Sequence, residues 1–228
     1  MKKAVNYIFI LTLLLVSCKK SSTDDGVYSS GYEYFPTNTG HDLIFDVDCV
    51  VYDDFRDTII TYTYQKRQLI ADSFYDLSGK LNQRLEWYFR NHDTEEWVLN
   101  KAGSSVLKTH TGEVVENGER IIKLVFPVQN NTDWNGYAYT TRTNEPEFYY
   151  RSTSKTFSSP AGNFANVAEV IQENDSNLIE KRFRAEWYAP LVGLVYKQID
   201  SLETQFDNQG NPETKGYRYY QRLRSFTP

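Results

Sequence analysis

From residue 42 onward the chain is dominated by an alternation of apolar and polar positions. Leu43, Phe45, Val47, Cys49 and Val51 fall on one side of a run, Asp46 and Asp48 on the other. A period of two marks a half-buried strand, here over Leu43–Tyr52. The rhythm returns over Leu81–Asn91, where Leu81, Leu85, Trp87 and Phe89 oppose Asn82, Arg84, Glu86 and Arg90. It returns again over Gly216–Phe226, where Tyr217, Tyr219 and Leu223 oppose Arg218, Arg222 and Arg224. Between these lie a Thr/Ile/Tyr-rich run at Thr58–Ile70 and further strand candidates at Glu96–Asn100, Val106–His110, Arg120–Val128, Tyr137–Arg142, Glu147–Phe157, Asn177–Ala189 and Val192–Gln205. Phe164–Glu173 fits helical spacing as well as a strand. Ser78-Gly79, Gly103, Gly112 and Asn117-Gly118 read as turns, the last a strong two-residue hairpin signal. Asn130–Gly136 reads as a loop, and Tyr28–His41, with Gly31, Pro36 and Gly40, as an irregular lead-in. With no confident amphipathic helix and no internal repeat, the pattern predicts an all-β fold: about ten to twelve strands in a strongly curved antiparallel meander, a half or open barrel.

The first residues follow another rule. Lys2 and Lys3 precede an apolar run from Ala4 to Ser17, shorter than the about 20 residues a membrane-spanning helix needs, so residues 1–17 read as a secretory signal. The run ends Leu15-Val16-Ser17-Cys18, which resembles the bacterial lipobox, where cleavage before the cysteine is followed by acylation of its thiol. That resemblance implies a lipid anchor at Cys18; an ordinary signal with a chance cysteine is the alternative. At roughly 0.8 kcal/mol per buried methylene, more than one acyl chain anchors stably. Residues 18–27, Lys19-Lys20 through Asp24-Asp25-Gly26 included, are polar and aperiodic and read as a flexible tether. The paired acids resemble the surface-export signals of Bacteroidota lipoproteins. An outer-membrane location follows, facing the periplasm or the cell surface. Residues 28–228 are expected to form a single β domain.

Composition narrows the partners. The 228-residue chain carries a net charge of −5, and loss of Lys2 and Lys3 with the signal deepens it. An acidic surface argues against nucleic acid and against general binding to anionic membranes. With Cys18 assigned to lipid, Cys49 has no disulfide partner and reads as an inert buried thiol. The 18 tyrosines, 13 phenylalanines and 4 tryptophans suit a sheet with aromatic faces.

Catalytic and metal chemistry finds little support. His41, His92 and His110 lack metal spacing, and neither a nucleophile elbow nor a phosphate-cradling loop occurs. No cofactor or metal is expected. Asp46 and Asp48 could form a cation site or an acid–base pair, but acids two apart on a wet strand are ordinarily solvated. Arg218, Arg222 and Arg224 form a face that could grip an anionic partner, or simply the polar side of a closing strand. Among Trp87, Trp97, Trp134 and Trp187, the loop residue Trp134 is the one expected to be exposed for ligand stacking. Asn130-Asn131-Thr132 and Asn174-Asp175-Ser176 match a glycan acceptor pattern that carries little weight in a bacterium.

Ser159-Pro160-Ala161-Gly162-Asn163-Phe164 and Glu186-Trp187-Tyr188-Ala189-Pro190-Leu191-Val192-Gly193-Leu194-Val195-Tyr196 resemble the PAGxF and WYAPxVGLV pair of a group of uncharacterised bacterial lipoproteins. Tyr34-Phe35-Pro36 with Gly40, and Phe126-Pro127 with Trp134-Asn135-Gly136, are similar to elements of its Bacteroidota members. The resemblance implies a curved antiparallel sheet similar to that of the lipoprotein carriers of the outer-membrane localisation pathway, whose lid helix this chain lacks. On its own chemistry, Pro190 cannot donate to a ladder and Gly193 takes unusual backbone angles cheaply, so the segment bends between strands. The functional expectation is a non-enzymatic envelope lipoprotein that binds a lipid, another hydrophobic molecule or an envelope protein through the concave face. Phe45, Val47, Leu85, Phe89, Phe183 and Trp187 are expected to line that face. An accessory subunit with a packed, ligand-free core is the alternative, and a glycan-acting enzyme ranks last.

Overall fold

A computed structural model describes residues 30–53, 58–206, 209–210 and 212–228. The signal at 1–17, the anchor at Cys18 and the tether at 18–27 lie outside the described residues. Within them, a single 3-10 turn, Tyr32–Tyr34, precedes twelve strands: β1 Asp42–Asp53, β2 Thr58–Tyr75, β3 Leu81–Arg90, β4 Val98–Leu107, β5 Thr111–Glu116, β6 Glu119–Val125, β7 Asp133–Trp134, β8 Phe148–Ser159, β9 Gly162–Ser176, β10 Glu180–Ala189, β11 Gly193–Phe206 and β12 Pro212–Thr227.

All twelve form one antiparallel sheet in the order β6-β5-β4-β3-β2-β1-β12-β11-β10-β9-β8-β7. Every neighbouring pair is consecutive in the chain except β1 and β12, which pair from Asp42↔Thr227 to Tyr52↔Gly216. The sheet is strongly coiled and nearly closed, so β6 and β7 come to face each other across a seam. Extra residues in the ladders account for much of that coiling. Ala71, Asn100, Lys123, Gln172, Val195 and Arg224 are each skipped in a register, and a bulge of this kind bends its strand and sharpens the twist.

The seam is closed without a ladder between β6 and β7. The Ile122 amide donates to the Gly136 carbonyl at 2.9 Å, and the Ile122 carbonyl accepts from Trp134 Nε1 at 2.9 Å. The Tyr150 hydroxyl donates to the Val125 carbonyl at 2.8 Å and accepts from the Val125 amide at 3.1 Å. Edge groups that would otherwise be buried unpaired are thereby satisfied. Around them Leu124, Phe126, Trp134, Phe148 and Tyr150 pack into the largest apolar cluster. A second cluster, Leu43, Phe45, Val167, Ala189, Val192, Val195 and Leu223, reaches from the interior to the outer side of the sheet, where Phe157, Phe164 and Trp187 pack against it.

The lead-in segment crosses one end of the barrel. Tyr32 donates to the Thr109 carbonyl at 2.9 Å, and Tyr34 to the Asn166 carbonyl at 2.5 Å, tying β9 to the far side. The turn between β10 and β11 docks onto this segment: the Leu191 amide donates to the Glu33 carbonyl at 2.7 Å, and His41 Nε2 meets the Val192 carbonyl at 3.0 Å. Gly193 sits here at φ +81°, where an added Cβ would come within 3.1 Å of Pro36. The Pro-Leu-Val-Gly bend is thus a docking turn as well as a corner.

Four local expectations are corrected. Val98–Asn100 and Val106–Leu107, the facing ends of the two expected strands Glu96–Asn100 and Val106–His110, belong to one strand, β4, which continues through Gly103. Gly103 is needed for contact and not for turning, since a Cβ there would lie 2.1 Å from the Val115 carbonyl oxygen and 2.9 Å from the Trp87 ring. Gly112 likewise lies inside β5, against Phe35. Tyr137–Arg142 is a series of turns: the Ala138 amide donates to the Asn135 carbonyl at 3.4 Å and the Thr140 amide to the Tyr137 carbonyl at 2.9 Å. Phe164–Glu173, open between helix and strand, lies within β9.

Candidate functional site

The site is built by side chains that point into the barrel. Directly opposed residues of an antiparallel pair share a face, so the buried Phe45 places Lys66 of β2 and Leu223 of β12 inside with it. The same rule carries Gln221 inward opposite Val47, and Lys197 of β11 inward opposite Gln221. It then places Glu186 opposite Lys197, and Tyr188 two residues further along β10. On the other wing Leu85 faces Ile70, Trp87 faces Gln68, Lys101 faces Trp87, and Phe89 faces Lys66.

Most of these residues line a partly enclosed cavity of about 100 Å³; Val47, Phe89, Lys101 and Leu223 lie outside its lining. One wall is apolar: Leu43, Phe45, Ile70, Leu85, Trp87 and Val114. Tyr34, Phe35 and Pro36 of the lead-in form its floor. The remainder is charged, carrying Lys66, Lys123 and Lys197 with Glu116 and Glu186. Lys123 owes its position to the β6 bulge, which makes it the skipped residue opposite Gly112 and Glu113.

Glu186 is the centre of the charged belt. Its carboxylate accepts from Lys123 Nζ at 2.9 and 3.1 Å, from Lys197 Nζ at 2.9 Å and from the Tyr188 hydroxyl at 2.6 Å. Burial alone would raise this carboxyl, but the two ammonium groups and the phenol outweigh it and hold it well below the usual carboxylate range. Burial and the adjacent carboxylate push the Tyr188 phenol far up, so it serves as a donor. Burial opposes the charge on Lys197, yet Glu186 and Glu116 raise it on balance. Lys101 is paired with Glu116, whose carboxyl is held down by Lys123 and Lys101 against its own burial.

Lys66 differs from the rest. Its ammonium meets the Tyr219 hydroxyl at 3.4 Å and makes no ion pair among the described residues. Tyr219 is committed elsewhere, donating to Gln221 Oε1 at 2.6 Å. Burial, and then the like charge of Lys197, push Lys66 down to about 8. Among the described residues no group of three or more His, Cys, Asp and Glu is arranged to hold a metal ion.

Of the residues expected to line the concave face, Phe45, Val47, Leu85 and Phe89 do so; Phe89 is 38% exposed. Phe183 and Trp187 do not. They stand on the outer side of β10, Phe183 beneath Arg151, and Trp187 under Lys155, meeting Phe157 edge-on and Tyr196 at a tilt. The apolar positions of that strand face outward because its polar set, Arg184, Glu186 and Tyr188, belongs to the charged interior. Trp134 is not an exposed loop residue but 8% exposed, closing the seam from β7. The arginine face is spent on its own sheet: Arg222 pairs with Asp48 at 2.6 Å, Arg224 with Asp46 at 3.0 Å and Asp93 at 2.8 Å, and Arg218 lies over Tyr52. The same pairs account for Asp46 and Asp48. Cys49 lies half-buried on the interior side, and burial raises its thiol.

Reasoning from pattern missed Lys66, Lys101, Lys123, Lys197, Glu116 and Glu186. The signal present was a charge at alternate positions of otherwise strand-like runs, which on an open sheet reads as the wet face.

No known protein family matches the chain, and no curated protein matches it. Two solved structures are similar. One, from Bacteroides fragilis, is described as an exported protein with a YmcC-like fold; at 12% identity and TM-score 0.48, the match covers 86% of this chain and 99% of that one. The other, from Parabacteroides distasonis, is described as a lipoprotein; at 13% identity and TM-score 0.44, it covers 85% of this chain and 98% of that one.

Proposed function

We propose that the protein is a lipid-anchored, non-enzymatic component of the outer membrane that holds a small ligand inside its barrel. The observation that carries this reading is the cavity: an apolar wall and a charged belt facing one another inside a single-sheet barrel, with a backbone segment packed across one end. Concave, mostly apolar sites with a few convergent polar groups are what small-molecule binding uses. The lipobox-like Leu15-Val16-Ser17-Cys18 supplies the address. The size of the cavity sets the scale, since an apolar cavity of 150 Å³ admits benzene, and about 100 Å³ suits an apolar body of only a few carbons.

Native mass spectrometry of the full-length protein, extracted from the membranes of its own cell, tests the reading. A reproducible small-molecule adduct that disappears in Val114→Phe, which fills the cavity without adding charge, is the expected result. Folded wild-type protein without any adduct would overturn it and favour the accessory-subunit reading, in which Tyr34, Phe35, Trp134 and Tyr150 simply fill the interior.

A further inference from the structure

The charged belt of the cavity is unbalanced. Three lysines, Lys66, Lys123 and Lys197, line it against two glutamates, Glu116 and Glu186, with Lys101 just outside the lining; Arg67, also in the lining, is paired with Asp42. Lys101 is matched by Glu116. Glu186 is shared by Lys123 and Lys197, so one carboxylate serves two ammonium groups. Lys66 has no acidic partner among the described residues, and the hydroxyl it approaches is polarised towards Gln221. An interior that keeps like charges together sacrifices stability, because buried charges ordinarily come paired. Rules broken inside a fold are concentrated where it acts on something else.

Resting on the reading that the cavity holds a ligand, we propose that this ligand is an anion, its charged group seated between Lys66 and Lys197 and its apolar body against Leu43, Phe45, Ile70, Leu85 and Trp87. All five of those apolar residues line the same cavity as the two lysines, so head and body have separate, adjoining surfaces. A carboxylate or phosphate there would accept from both ammonium groups and relieve their mutual repulsion, and charge-assisted bonds in a shielded site are the strong ones. The imbalance also gives the site its selectivity. A neutral molecule of the same length would leave Lys66 as it is, without a counter-charge among the described residues.

Calorimetric titration of the full-length protein in lipid nanodiscs, with empty discs as the blank, tests this with three probes of one chain length, short enough for the cavity: butanoate, butyl phosphate and butanol. One or both anions are expected to bind roughly tenfold or more tightly than butanol, the worth of about one charge-assisted bond. Lys66→Met should remove that preference, while Lys155→Met, on the outer face over Trp187, should leave it intact. Butanol binding as tightly as both anions would overturn the anion assignment and leave the cavity reading standing. Anion preference retained in Lys66→Met would overturn the place given to Lys66. No heat from any probe, with folded protein by circular dichroism, would overturn the assignment; a native adduct in the mass spectrum would then show whether the cavity reading survives it.

Discussion

Lys123 and Glu186 meet inside the barrel across the gap between β6 and β10, the ammonium 2.9 and 3.1 Å from the two carboxylate oxygens. The bulge that makes Lys123 the unpaired residue of β6 also turns it towards a strand on the other wing of the sheet. The pair therefore spans the seam that the main-chain ladders leave unpaired. Glu186→Gln leaves Lys123 and Lys197 buried without a carboxylate, and should cost about 3–5 kcal/mol, the usual penalty for breaking a buried pair. Lys123→Met should cost less, because Lys197 and Tyr188 still satisfy Glu186. Urea unfolding of both variants checks the order.

The seam has a second, neutral fastening. Tyr150→Phe removes the hydroxyl that serves both the amide and the carbonyl of Val125. Each buried group left unsatisfied costs about 1–3 kcal/mol. The Val125 amide should exchange with deuterium faster than those of Val114 and Val115 on the adjacent strand, and the melting temperature should fall.

Lys66 should show its cost as a dependence on pH. Burial and Lys197 depress it in the folded state, with Lys101 adding to that and Glu116 and Glu186 opposing it, while Tyr64 and Tyr219 stand alongside. Between about 8 and 10.5 the unfolded chain binds the proton more tightly than the folded one, so this group makes stability rise with pH across that window. Lys66→Met should be more stable than wild type at pH 7, and the difference should shrink as pH climbs through the same window. Unfolding midpoints at pH 7 and pH 10 decide it.

Acid acts on other groups. Burial lowers His41, so the unfolded chain takes up its proton first and stability falls as pH drops below about 6.5. Glu186, and Glu169 with Arg151 and Lys155 on the outer face, are held below the ordinary glutamate range. Their contribution is present above about 4.5 and is lost as pH falls through their folded values. His41→Gln should flatten the first part of the curve and leave the second.

Cys18→Ala should move the protein out of the membrane fraction on cell breakage, because acyl chains on Cys18 are what the proposal uses to hold it there. Retention of the variant in membranes that resist a carbonate wash would remove the lipid anchor from the account.

Much of the architecture is legible in the sequence alone. Period two identified strands β1, β3 and β12, and Asn117-Gly118, both at positive φ, makes the β5–β6 turn as expected. What misled was the assumption that apolar means inward. Asn177–Ala189 contains a strand, β10, as expected, but its apolar residues Phe183 and Trp187 cover the outside. Interior bulges at Gln172 and Val195 also shift parity within β9 and β11, which composition cannot reveal. Gly103 and Gly112 look like turns in one dimension, and only the rings of Trp87 and Phe35 over them explain why nothing larger fits. The site was invisible for a related reason. Lys66, Lys123, Lys197 and Glu186 come from four strands, and their meeting depends on a closure that no local pattern encodes.

The pairing of β1 with β12 has one more consequence. Asp42 and Thr227 are partners at the middle of the sheet, whereas the break in the ladder lies between β6 and β7. The order in space is thus a plain up-and-down sequence that has been circularly rotated in the gene. During synthesis or export, the first strand keeps an open edge until the last one has emerged, and the wall cannot be completed from either half alone. A permuted gene that joins the C-terminus to the start of the lead-in and begins between Val125 and Asp133 would restore simple sequential order. It would remove the longest wait in assembly while keeping every strand pairing of the sheet.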